Sequence, residues 1–136
     1  LSPHSLLAEF TAESSDPKAL TLLRLSGDVG VDESGEGCWI EALAAWRVPV
    51  LMLAQPRPDG RFGGIVPASV AFARELNLSL LGLVQLGGEW DAAARRSDGL
   101  PWCGCLQGPD DDPRGLINCL RHRRGLVARA AVSGSP

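Results

Sequence analysis

Apolar residues fall along the chain in short continuous runs, separated by polar segments rich in glycine and proline, and stretches of helical spacing lie between those runs. Residues 19–25 are apolar apart from Thr21 and Arg24 and stop at Ser26-Gly27-Asp28, which predicts a first strand ending in a turn. Residues 39–46 place Trp39, Leu43 and Trp46 at helical spacing, with Ile40 and Ala44 filling the stripe and Arg47 closing it. Residues 48–54 form an uninterrupted apolar run, the pattern of a strand covered on both faces in a parallel sheet. A loop over residues 56–64 leads to a helix over 67–76, where Pro67 stands in the first turn, needs no amide donor, and Asn77 follows as the C-terminal cap. Residues 80–86 predict another buried strand ended by Gly87-Gly88, 91–96 a brief helix, and 100–106 a fourth short strand. After a turn over 107–112, Asp112 caps a last helix that opens at Pro113 and turns Leu116, Leu120 and Leu126 to the core. At the start, residues 2–10 predict a loop leading into one helical turn that carries Leu6, Leu7 and Phe10.

This alternation defines an α/β chain in which residues 1–136 form one domain. Crossover connections between short apolar strands predict a mainly parallel sheet with helices on both faces, a Rossmann-like three-layer arrangement. In open sheets of this kind ligands lie beyond the carboxyl ends of the strands, so the loops that start at Ser26, Gln55, Gly87 and Gln107 are the places to look for a site.

Composition narrows the function classes. With 45% hydrophobic and 21% charged residues and a net charge of -3, the chain is an ordinary globular one. Lys and Arg are scattered except for Arg121, Arg123 and Arg124 around His122, so a nucleic-acid backbone is not the expected partner. That basic cluster suits the negative end of a helix dipole, with an anion or partner patch as the alternative. No apolar run approaches the ~20 residues that cross a bilayer, and no charged start precedes an apolar stretch, so a cytoplasmic protein without a membrane partner is expected. Cys38, Cys103, Cys105 and Cys119 lack the two-residue gap of zinc or thiol-redox motifs and read as small buried hydrophobes, with Cys103 and Cys105 on one face of their strand.

Motifs for common chemistries are missing from the sequence. Neither G-x-x-x-x-G-K-[ST] nor a strand-to-helix G-x-G-x-x-G occurs, and Gly35-Glu36-Gly37 lacks the lysine and hydroxyl that phosphate and magnesium require. G-x-S-x-G is absent, and His4 and His122 are the only imidazoles, which leaves a hydrolytic triad without support. Carboxylates at Asp28, Asp32, Glu33 and Glu36 present either a solvated loop or oxygen ligands for a hard cation, with Asp28 the candidate metal ligand.

Taken in order, several segments resemble the C-terminal two thirds of dethiobiotin synthetase and its P-loop amidotransferase-like relatives. Ser2-Pro3-His4 is similar to that family's S-P-H step. The run over 48–54 followed by Gly60-Arg61-Phe62-Gly63-Gly64-Ile65 resembles its apolar strand and R-L-G-x-I step. Leu81-Gly82-Leu83-Val84 resembles the next strand, and Leu100-Pro101-Trp102-Cys103-Gly104 the later L-P-x-L-G step. The resemblance implies a Rossmann-like fold, homodimers, and substrate contacts at Ser2, Gly63 and Gly64. It also places the family's P-loop before residue 1. The magnesium-holding E-G-x-G-G step is Ser26-Gly27-Asp28-Val29-Gly30 here, so Asp28 is the nearest substitute, and two family asparagines become Val66 and Leu86 or Gly87.

The leading expectation is therefore a dethiobiotin-synthetase-like domain without its own ATP-binding loop, acting as a non-catalytic structural, assembly or regulatory module, with a homodimer mate or another protein as its partner. No cofactor is expected for this chain alone; ATP and magnesium enter only if a P-loop partner exists. The alternatives are the C-terminal part of an active synthetase completed by a P-loop segment, or a domain similar to the sulfur-transfer protein of formate dehydrogenase. That last reading matches Ser26-Gly27 and residues 67–82, and gives no counterpart for the strand at Leu100 or the last helix.

Overall fold

The computed structural model of the chain describes residues 2–13, 16, 18, 20–32 and 34–133, with side chains as far as residue 126. The chain divides into two compact units, Leu1–Val48 and Pro49–Pro136.

The first unit is helical. Helix α1 spans Pro3–Glu13, longer than the single turn its sequence predicts. The Ser2 hydroxyl oxygen accepts the Ser5 amide at 3.1 Å, and Pro3 and Leu7 are buried. Helix α2 spans Trp39–Ala45, with Glu41 reaching back to accept the Cys38 amide at 3.2 Å. The Trp46 indole donates to Nδ1 of His4 at 3.0 Å and so ties the end of α2 to the start of α1. Arg47 closes α2 in the left-handed region at φ 54°, as a C-terminal cap requires.

One expected strand is absent. Residues 20–25 carry no strand pairing, and Leu20 and Leu22 are 72% and 84% exposed; Ala19 lies outside the described residues. An apolar run alone marks neither strand nor helix, because a strand exists only where a neighbour accepts its hydrogen bonds.

The second unit is a small α/β fold. Strands β1 (Val50–Ala54), β2 (Leu80–Leu86) and β3 (Trp102–Leu106) form a three-stranded parallel sheet in the order β1-β2-β3. Between them run helix α3 (Ile65–Glu75) and helix α4 (Ala92–Ser97), and helix α5 (Arg114–Ser133) follows. Three strands, not four, make the sheet among the described residues. Leu83 and Val84 are consecutive and both fully buried, so β2 is covered on both faces. Leu83 packs with Ala54 and with Val70 of α3, and Met52, Phe62, Val66, Leu80, Leu100 and Trp102 pack around them. Val84 pairs in register with Gly104, whose missing side chain faces Leu116 of α5 at van der Waals distance. Strand β1 lies at the sheet edge, and Leu53 is 55% exposed, so full coverage on both faces holds for β2 and not for the first apolar run.

Helix ends follow their local chemistry. Pro67 sits in the first turn of α3, where its missing amide has no intrahelical partner to lose, and Asn77 takes φ 53° just past the end of that helix. The Asp91 carboxylate accepts the Ala94 amide at 3.0 Å and caps α4. Asp112 accepts the Arg114 amide and pairs with its guanidinium at 2.7 Å, opening α5. That helix runs on to Ser133, so Arg121, His122, Arg123 and Arg124 stand in its middle and not at its terminus. Leu116 and Leu120 are half-buried, whereas Leu126 is exposed rather than in the core.

Candidate functional site

The parallel order puts the carboxyl ends of all three strands on one edge, where the loops after Gln55, Gly87 and Gln107 meet. Between the first two lies a groove of about 570 Å³, lined by residues 55–60 and 86–89. Its floor is held from below by Gln85, the one polar side chain in β2 and 1% exposed. Gln85 Nε2 donates to the carbonyl oxygens of Gly87 at 2.9 Å and Glu89 at 3.0 Å, which satisfies a buried amide and fixes the path of the loop. Gly87 and Gly88 follow in the left-handed region at φ 70° and 71°, and a side chain on Gly88 would come within 2.7 Å of Pro56. The Gly87 amide donates to the Leu106 carbonyl at 2.8 Å and Gln107 donates through Nε2 to the Gly88 carbonyl, so the β2 and β3 loops are stitched together.

Charge in the groove is mixed. Arg57 is its one cation, and its guanidinium lies against Gly63, whose added side chain would meet Nη2 at 3.3 Å. Asp59 and Glu89 line the same groove, with Asp59 accepting the Arg61 amide at 2.9 Å. The lining holds neither lysine nor a hydroxyl side chain.

The residues singled out in the sequence separate into two groups. Ser2 and Asp28 lie in the first unit; Gly63 and Gly64 lie in the second, at the entry to α3. Ser2 is buried and spends its hydroxyl on the α1 cap, contacting Ser5 Oγ at 2.8 Å. All three residues of the Ser2-Pro3-His4 step thus have structural work: a cap, a buried first helical residue and an acceptor for Trp46. Asp28 is exposed and accepts the Gly30 amide at 2.9 Å. Asp32 organises the remainder of that loop, accepting amides from Ser34, Gly35, Glu36 and Gly37 at 2.7 to 3.2 Å. These bonds, that of Gly37 foremost, hold its carboxyl below the usual aspartate range. Glu33 lies outside the described residues. Among the described residues no three His, Cys, Asp or Glu side chains converge to hold a metal ion.

Three of the thiols, Cys38, Cys103 and Cys105, are biased toward their neutral form. Burial pushes Cys38 and Cys105 up, and it pushes Cys103 up to about 11, with Cys119 beside it adding to the rise. Neutral thiols are poor nucleophiles and poor ligands. Cys38 is buried and the other three are half-buried.

Gln85 is the residue that sequence reasoning passed over. Its signal was a glutamine inside an otherwise apolar strand, which must find partners if it is buried. No protein-family model matches the chain, and no curated protein matches it.

Proposed function

We propose that the chain is a dethiobiotin-synthetase-like domain, Rossmann-like in descent, that works without an ATP-binding loop of its own as a structural, assembly or regulatory module. In this reading it acts in the cytoplasm and pairs with a second copy of itself or with another protein. The observation that carries the reading is the charge of the carboxyl-edge groove, where Arg57 stands against Asp59 and Glu89. A triphosphate needs converging amides, a lysine and a hydroxyl for its magnesium ion. Two carboxylates in the same groove repel it. Four of the five segments that carry the resemblance fall, in order, on β1, the entry to α3, β2 and β3, and the fifth, Ser2-Pro3-His4, lies at the start of α1. Calorimetric titration with ATP and magnesium tests the proposal: no saturable heat is expected, and micromolar affinity for this chain alone would overturn it. Sedimentation tests the assembly role, for which a dimer is expected and a monomer in the absence of any partner protein counts against self-pairing.

A second reading is favoured by the groove itself, which keeps the size and glycine-lined wall of a small-molecule site. The chain would then supply this groove to a substrate site completed by a P-loop segment on another polypeptide. Nucleotide binding that appears only when such a polypeptide is added supports this version and excludes the first.

A further inference from the structure

A second cavity, of about 350 Å³, opens where α4, the amino end of β3 and the middle of α5 meet. Trp90, Leu100 and Trp102 give it apolar walls, and three arginines, Arg95, Arg96 and Arg123, also line it. The guanidinium of Arg95 lies over the rings of Phe62 and Trp102, 4.6 and 5.2 Å from their centroids, and its side chain is 13% exposed. Stacking fixes the plane of the fork without using its hydrogen-bond donors. Asp98 forms a long ion pair with Arg95, at 3.7 Å, and shares its carboxylate with the Trp102 indole and the Leu100 amide, each at 2.9 Å. Arg95 Nε is buried with no hydrogen-bond partner. Arg123 makes one long bond, 3.4 Å to the Trp102 carbonyl. Trp90 lines the cavity, meets Trp102 edge-to-face at 6.1 Å and is 36% exposed.

Three arginines around one small space repel each other, and among the described residues Asp98 is the one carboxylate within ion-pair distance of any of them. An anion would relieve that repulsion and take up the unspent donors, and a flat ring attached to it would stack on the indoles. We propose that this cavity is a binding site for a small organic anion in which a phosphate or carboxylate is joined to an aromatic ring.

The probe is phenyl phosphate, titrated into the full chain while the indole N–H resonances are followed by NMR, with inorganic phosphate and benzyl alcohol as parallel arms. Saturable shifts at Trp90 and Trp102, and not at Trp39 and Trp46, are expected. Phenyl phosphate should bind about tenfold more tightly than either arm, because it alone supplies both ion pairing and stacking. Arg96→Gln and Arg123→Gln, on exposed or half-exposed side chains whose loss leaves the core intact, should each weaken it about tenfold, while Arg24→Gln leaves it unchanged. Absence of a saturable shift at Trp90 and Trp102 overturns the proposal. So does equal affinity for inorganic phosphate, or affinity unchanged in both arginine variants.

Discussion

Replacing Gln85 by methionine removes two hydrogen bonds from the carboxyl edge of the sheet while keeping the volume and length of a side chain that is 1% exposed. Volume conservation matters here, because truncation to alanine would mix a cavity cost with the loss of the polar contacts. Each neutral bond contributes about 0.5–1.5 kcal/mol net, so the pair is worth roughly 2 kcal/mol. The Gly87 and Glu89 carbonyls regain part of this by turning to water, which sets the lower bound near 1 kcal/mol. A urea slope of about 1–2 kcal/mol per molar then translates the loss into a midpoint lowered by roughly 1 M. Amide hydrogen exchange gives a second readout: the amides of residues 87–90 should exchange faster in Gln85→Met, while those of Leu83 and Val84 change only with global stability. A midpoint within about 0.2 M of the parent chain, with exchange of the loop unaltered, refutes the claim that Gln85 holds this loop.

Two further outcomes follow from the same geometry. Gly82→Ala drives a Cβ into Cys103 Sγ and to 2.7 Å from the Pro101 carbonyl oxygen, at φ 152°; about 3 kcal/mol or more should be lost in a thermal or urea melt, and a loss under about 1 kcal/mol contradicts the close approach. The Asp32 carboxyl has a folded-state value lowered from 3.8, so the order it brings to residues 34–37 is fully present above that ordinary value and disappears as pH falls through the lower one. The amide resonances of Gly35 and Gly37 should therefore titrate with a midpoint below 3.8, and a midpoint above it is inconsistent with the four amide bonds.

The second unit was largely legible in the sequence, because its signals are redundant. Residues 80–86 read as a strand and are one, since a short apolar run ended by Gly87-Gly88, set between helical patterns, fits a central parallel strand. Asn77 and Asp91 sit where their chemistry places helix ends. Residues 20–25 misled for a physical reason: their apolar character is local, whereas pairing is a relation between two segments, and a single chain pattern does not contain the neighbour. Residues 121–124 misled in the other direction. Basic residues mark the end of a helix on average, but α5 continues through them and carries Arg123 into a cluster with Arg95 and Arg96, far apart in sequence and invisible until the chain folds. The location of the groove was legible from topology alone, at Gln55 and Gly87, while its charge balance depended on which loop side chains turn inward.

Glycine at position 82 also limits which alignments the sheet can adopt. The Leu83 amide donates to the Pro101 carbonyl at 2.9 Å, and both ladders of β2 shift their pairing nearby, between Val50 and Leu51 on one side and between Leu83 and Val84 on the other. Only a residue without a side chain fits opposite Cys103 and Pro101. Sliding β2 by one position would drive Leu81 or Leu83 into that gap, and would also reverse the faces shown by every later residue of the strand. The sheet thus rejects its own nearest misfolded neighbours by collision, a form of proofreading that adds nothing to the stability of the correct alignment.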